Sequence, residues 1–153
     1  MSIHEEVEML KSVPIFAKME PARLKLIAFT SDRLTFDAGQ ELCHQGDIGD
    51  AMYVILSGSA DVLRDSPSGP IKVAELKRKA FVGEMAILSD QPRNATVTAH
   101  EKLTVLKIPK EMFFRLIDEV PQMAIEIMRE LAHRVEDMNV KLTEARAALQ
   151  RQP

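Results

Sequence analysis

The chain has a single cysteine, Cys43, which rules out an intramolecular disulfide and a cysteine-rich metal cluster. No apolar run approaches the roughly 20 residues that a membrane-spanning helix needs. The amino terminus, Met1-Ser2-Ile3-His4-Glu5-Glu6, lacks the basic-then-apolar order of a signal peptide. A cytoplasmic location is the simplest expectation. Positive charge is not in excess either. The formal net charge is −3, which argues against a general nucleic-acid binder with a strongly basic face. The histidines (His4, His44, His100 and His133) are scattered. They form no Ser/His/Asp set and no metal-ligand spacing, and no phosphate-loop lysine accompanies them. No catalysis, metal site or cofactor is therefore expected. Internal repeats and low-complexity tracts are missing as well. Cys43 lies on an expected strand, where it reads as a small buried hydrophobe rather than a reactive thiol.

What remains is 153 residues, 46% hydrophobic and 28% charged, enough for one domain with a sizeable core. Hydrophobic spacing predicts short helices at residues 3–10 and 21–29, with Pro21 suited to a first turn. From Arg33 the period changes to that of strands, expected at 34–36, 41–44, 52–56, 60–63, 71–76, 95–99 and 103–108. Turn residues separate them, at 37–39, 46–50 and 66–70. No β-α-β alternation appears, so a sandwich or barrel is indicated rather than a doubly wound sheet. After Pro109 the pattern is helical again: a short helix at 110–118, then a long one from Pro121 to about Leu149.

The most informative segment is residues 81–99, FVGEMAILSDQPRNATVTA. Gly83 lets backbone approach a ligand closely, having no Cβ. Glu84 to Leu88 reads as one helical turn whose leading N–H groups favour an anion. Arg93 returns after a proline-containing loop at the head of an alternating Ala95/Val97/Ala99 strand. Its guanidinium fork matches phosphate oxygens. Glu84 accepts from hydroxyls and repels bare phosphate. An anion-seeking group beside a hydroxyl-seeking one describes a sugar phosphate. A structural Glu84–Arg93 ion pair is the plainer alternative, but it requires neither Gly83 nor the small-residue strand that follows.

This segment resembles the phosphate-binding cassette of the cyclic nucleotide-binding domain family. A second signature, residues 42–58 (LCHQGDIGDAMYVILSG), carries the family's glycines at Gly46, Gly49 and Gly58 around an apolar strand. Flanking segments fit in element order from about Val13 to Leu149. Val82 and Asn94 depart from the usual aromatic and the usual Ser, Thr or Ala at their positions. The resemblance implies a mixed, mainly β fold: an eight-stranded jelly roll with N-terminal helices and a long C-terminal helix. It implies one domain over 1–153, with N-terminal helices in 1–31, the β-roll in 32–108 and C-terminal helices in 110–150.

It also implies roles for residues. Arg93 takes the phosphate, helped by backbone near Ala86 and Ala95. Glu84 takes the ribose 2′-hydroxyl, with Gly83 and Met85 supplying backbone. Val62 and Val73 form apolar walls, and the long helix closes over the purine through Arg134, Met138 and Asn139. Arg134 either stacks on the base or pairs with Glu84, while Asn139 is suited to an adenine edge. Met138 reads better as a helix-seam residue. Asn94 lacks the hydroxyl that cyclic-GMP-selective relatives use, so cyclic AMP is favoured over cyclic GMP. The run Lys77-Arg78-Lys79 reads as a solvated strand end that adds positive potential at the pocket mouth.

In the long helix, Ala124, Met128, Leu131, Val135, Met138, Leu142, Ala145 and Leu149 alternate spacings of four and three. This is an a/d seam. It either packs on its own β-domain or joins two copies, and a homodimer is the favoured reading. Val140, Lys141 and Arg146 weigh against it. The expected function is a cyclic nucleotide sensor in signal transduction, closing its helix to act on a downstream protein. No helix-turn-helix, channel or kinase sequence follows the long helix, so no output domain, membrane association or specific DNA contact is expected. Two alternatives stay open: a scaffold that no longer binds nucleotide, and the sensor part of a transcription regulator.

Overall fold

A computed structural model describes residues 2–151. The first and last residues of the expected 1–153 domain lie outside that range. Three elements open the chain: α1 (Ile3–Lys11), a 3-10 turn (Pro14–Phe16) and α2 (Pro21–Thr30). Ser2 caps α1 by accepting from the Glu5 N–H, and Glu5 and Glu6 favour its positive end. Strands follow at β1 (Asp32–Phe36), β2 (Glu41–Cys43), β3 (Ala51–Ser57), β4 (Ala60–Arg64), β5 (Ile71–Leu76) and β6 (Phe81–Val82). Then come α3 (Glu84–Ser89), β7 (Thr96–Ala99), β8 (Leu103–Pro109), α4 (Lys110–Glu119) and α5 (Pro121–Gln150).

The strands form two antiparallel four-stranded sheets, ordered β1-β8-β3-β6 and β2-β7-β4-β5. This is the expected eight-stranded jelly roll with helices at both ends of the chain. Strand β6 and the 3-10 turn have no counterpart in the sequence reading. Two residues of strand inside the cassette are too few to show a period of two.

Strand β3 sits at the centre of the molecule and is buried throughout except at Ser57. Its alternation sends Met52, Val54 and Leu56 toward the helices, into a cluster with Phe16, Phe113, Leu116, Met123 and Ile127. Ala51, Tyr53 and Ile55 point the other way, toward Val97, Ala99, Leu103 and Val105 between the sheets. That double burial explains why β3 reads as a continuous apolar run rather than an alternating one. Burying each large side chain of this kind contributes about 1.5–3 kcal/mol.

The same helical cluster anchors the root of α5. Met123 and Ile127 are buried and Leu131 is half-buried. Beyond Arg134 the helix is exposed at nearly every position. The face buried at the root of α5 is that of Met123 and Ile127, one residue off the a/d seam, whose Ala124 and Leu131 are half-buried and whose Met128 is already 59% exposed. Val135, Met138, Leu142 and Leu149 are each more than half exposed.

Candidate functional site

The two glycine-bearing signatures, some forty residues apart in sequence, are packed against each other. The Gly46 N–H donates to the Arg93 carbonyl at 2.8 Å, and the Arg93 N–H donates to the Asp47 carbonyl at 2.8 Å. Gly49 lies so close to α3 that a Cβ there would fall 2.3 Å from the Ala86 Cβ. The Gln45 N–H donates to Thr96 Oγ1 at 2.9 Å, tying the same turn to the start of β7. The 46–50 turn thus holds the cassette at both ends.

Gly83 is the pivot. It caps α3 at φ 99°, in the left-handed region. A Cβ on it would fall 2.8 Å from both the Ala51 carbonyl oxygen and Arg93 Nη1. Only glycine fits there. The Arg93 guanidinium lies against the backbone immediately before Glu84.

Arg93 is 6% exposed. Its Nη2 donates to the Ala51 carbonyl at 3.0 Å and lies 3.7 Å from Asp50 Oδ1. Its Cζ stands 5.4 Å from the centroid of the Tyr53 ring, a cation–π distance. Burial pushes the Tyr53 hydroxyl and the Cys43 thiol above their ordinary ranges, with the Arg93 charge working against both rises. Cys43 is a half-buried thiol held in its neutral form, which suits the packing role expected of it.

Glu84 is 1% exposed. Arg134 of α5 reaches it: Nη1 donates to Glu84 Oε1 at 2.5 Å, and Nη2 donates to the Phe81 carbonyl at 3.0 Å. The Arg134 guanidinium also covers the Phe81 ring at 5.0 Å. Glu84 Oε2 is buried and has no hydrogen-bond partner among the described residues. Burial raises the carboxyl above its ordinary range, and Arg134 opposes the rise. Glu84 and Arg93 do not form the ion pair that was the plain alternative. Each has its own partner on a different element.

Among the remaining candidates, Ala86 and Ala95 are buried, Met85 and Asn94 are exposed, and Val62 is half-buried against the inter-sheet core. Val73, on the edge strand β5, is 46% exposed. Of the three helix residues expected over a purine, the structure brings only Arg134 to the cassette. Met138 and Asn139 are exposed and make no hydrogen bond or ion pair to it. A straight helix advancing 1.5 Å per residue carries them about 6–7.5 Å farther along its axis than Arg134.

The Lys77-Arg78-Lys79 run is exposed and follows directly on β5, as expected of a solvated strand end. It forms the turn after β5, with Lys79 at φ 78° and its N–H on the Ile55 carbonyl. Arg78 approaches the Met9 sulfur of α1. Lys79 borders a cleft of 280 Å³ with Ile15 and the Glu126, Arg129, Glu130 and His133 face of α5. Among the described residues no hydrogen bond or ion pair links this run to Arg93 or Glu84.

Sequence reasoning did not assign roles to Asp50, Ala51, Tyr53 or Phe81. The first three sit in the 42–58 signature, and Phe81 opens the cassette. Their positions in those motifs were the available signal.

The family profile described as "Cyclic nucleotide-binding domain" matches residues 33–120, which span both signatures and all eight strands from β1 onward. The chain belongs to the cyclic nucleotide-binding domain family. It is 38% identical over 111 residues to a cAMP-dependent protein kinase regulatory subunit of Mucor circinelloides f. lusitanicus, covering 72% of this chain and 26% of that protein. Among solved structures it is similar to the regulatory domain of Toxoplasma gondii PKA with cAMP. That match has a TM-score of 0.76 at 26% identity, over 86% of this chain and 50% of that one. It is also similar to the Thermus thermophilus catabolite activator protein, with a TM-score of 0.77 at 27% identity, over 86% and 62% respectively. The chain spans about a quarter of the length of the kinase regulatory subunits it matches. These relatives are named for regulation rather than catalysis. Among the described residues no group of three or more His, Cys, Asp and Glu is placed to hold a metal ion. No helix among the described residues is long and apolar enough to cross a membrane.

Proposed function

We propose that residues 1–153 form one sensor domain that binds a cyclic nucleotide, cyclic AMP in preference to cyclic GMP, and reports binding through α5. The observation that carries this reading is the buried oxygen Glu84 Oε2, which has no donor, next to a backbone that also shields the Arg93 guanidinium. A buried carboxylate oxygen without a donor costs about 1–3 kcal/mol. A ribose 2′-hydroxyl is a single donor of suitable size. A cyclic phosphate carries one negative charge, and Arg93 is a buried cation oriented by Tyr53 and Ala51. Relatives in the family, a cAMP-dependent kinase regulatory subunit and a regulatory domain with cAMP, support the same ligand class.

Met85 and Asn94 border the sugar phosphate with Gly83, Ala86 and Ala95, and Val62 and Val73 face the base. Asn94 offers an amide and no hydroxyl to a guanine, which is the basis for preferring adenine. Because Arg134 joins α5 directly to Glu84, ligand contact at Glu84 shifts the balance between helix positions. Closure brings Met138 and Asn139 toward the purine. The domain regulates a partner and catalyses nothing itself.

The test is calorimetry of the wild type and Glu84→Ala with cyclic AMP and its 2′-deoxy analogue. Glu84→Ala is expected to weaken cyclic AMP while barely altering the 2′-deoxy ligand. Equal losses for the two ligands would assign Glu84 to positioning rather than to the ribose.

A further inference from the structure

The outer half of α5 carries a seam that none of the described residues covers. Val135, Met138, Leu142 and Leu149 are 56%, 64%, 52% and 67% exposed. With Ala145 between the last two, they repeat at spacings of three and four and make one apolar stripe. The residues that flank this stripe decide what fits on it. In heptad terms Lys141 stands on one side and Arg146 on the other, and the remaining flanking positions beyond Arg134 are Asn139 and Ala148. The acids of this stretch, Glu136, Asp137 and Glu144, lie on the far side of the helix. Neither Lys141 nor Arg146 has an ion-pair partner among the described residues.

Self-pairing is therefore poorly matched. A parallel second copy sets Lys141 opposite Arg146 twice by symmetry. An antiparallel copy sets flank against like flank, again without an acid. Flanking charges choose partner and orientation in helix pairs, and like charges oppose association.

We infer that this face docks an amphipathic helix of a different protein, one with apolar a and d positions flanked by Asp or Glu. Such a helix buries the stripe and neutralises Lys141 and Arg146 together. Of the stripe only Met138 is shared with the helix closure proposed over the purine; Val135, Leu142, Ala145 and Leu149 carry the inference whether or not a nucleotide binds. It replaces the second copy expected from the seam alone, because spacing shows that a partner helix is wanted and the flanks show its charge.

The test uses the full chain and two synthetic, fluorescein-labelled helical peptides of about three heptads. Both carry Leu or Ile at a and d. One carries Glu at e and g, the other Lys. By fluorescence anisotropy the Glu peptide is expected to bind at least about ten-fold more tightly than the Lys peptide, with the gap narrowing as salt rises. The double substitution Lys141→Glu/Arg146→Glu, at two exposed positions, is expected to reverse the preference. An unchanged helical circular dichroism signal confirms that it folds.

Equal affinity for the two peptides, or binding of neither, overturns the inference. So does a wild-type dimer in sedimentation that the Glu peptide fails to displace. Binding to anionic phosphatidylglycerol vesicles without binding of the Glu peptide overturns it in favour of a lipid surface.

Discussion

Replacing Arg134 by Ala removes the only side-chain hydrogen-bond partner of Glu84 among the described residues, and its effect on stability should depend on pH in a defined direction. Glu84 is buried, and burial raises its carboxyl above the ordinary 4.5 while Arg134 restrains the rise. The folded protein therefore holds this proton more tightly than the unfolded chain does. The contribution of Glu84 to stability is greatest below its unfolded pKa and falls as pH rises through its folded pKa. Without Arg134 the folded pKa climbs further, and the fall becomes deeper. Breaking a fully buried ion pair costs about 3–5 kcal/mol, but Arg134 is about one-third exposed and water replaces part of what is lost. The expected cost is about 1–3 kcal/mol at neutral pH. Near pH 4 it should shrink to what remains of packing on Phe81. Urea unfolding of wild type and Arg134→Ala in parallel at about pH 4, 6 and 7.5 measures this. Glu130 also loses a partner, Arg134 Nε at 3.4 Å, so Glu130→Gln is made in both backgrounds, and the remaining carboxylates cancel in the difference. A loss of equal size at all three pH values would refute the reasoning, because it would assign Arg134 a packing role alone.

Arg93→Ala should weaken cyclic nucleotide binding by about 2–5 kcal/mol in calorimetry, and Arg93→Lys should also lose affinity because a point charge replaces a fork. Gly83→Ala should destabilise the fold by about 1–3 kcal/mol and weaken binding, since its Cβ meets the Ala51 carbonyl and Arg93 at a left-handed φ. Gly49→Ala should destabilise by a similar amount, about 1–3 kcal/mol, by wedging the 46–50 turn away from Ala86. Thermal melts of the two glycine variants check both values, and a wild-type melting temperature in either would contradict the tight packing described. Leu142→Glu should leave cyclic nucleotide affinity unchanged while abolishing partner-helix binding at the seam, which anisotropy and calorimetry read separately.

How much of this was visible in the sequence varies with the distance over which the information acts. Pro21 and Pro121 fix helix starts locally, and both helices begin on them. The β3 run and its glycines mark the central strand, because a strand buried on both faces is apolar at every position. Arg93 and Glu84 were legible as chemistry from their neighbours within the cassette. Their partners were not. The Ala51 carbonyl and Tyr53 come to Arg93 through a packing of two turns forty residues apart, and no periodicity records that contact. The family resemblance put Arg134, Met138 and Asn139 over the purine, but reach along the axis separates them, and only Arg134 arrives at Glu84. Lys79 adopts a left-handed φ where a glycine would be the usual signal, so the tight turn that follows β5 left no mark in the residue types.

The central claim is that a cyclic nucleotide binds between Glu84 and Arg93. Calorimetric titration of the full chain with cyclic AMP and with 5′-AMP, on the wild type and on Arg93→Ala, tests it most directly. The account predicts one cyclic AMP per chain for the wild type, much weaker binding of the doubly charged, open 5′-monophosphate, and loss of cyclic AMP binding in Arg93→Ala. Equal affinity for the two ligands, or cyclic AMP binding that survives Arg93→Ala undiminished, would contradict it.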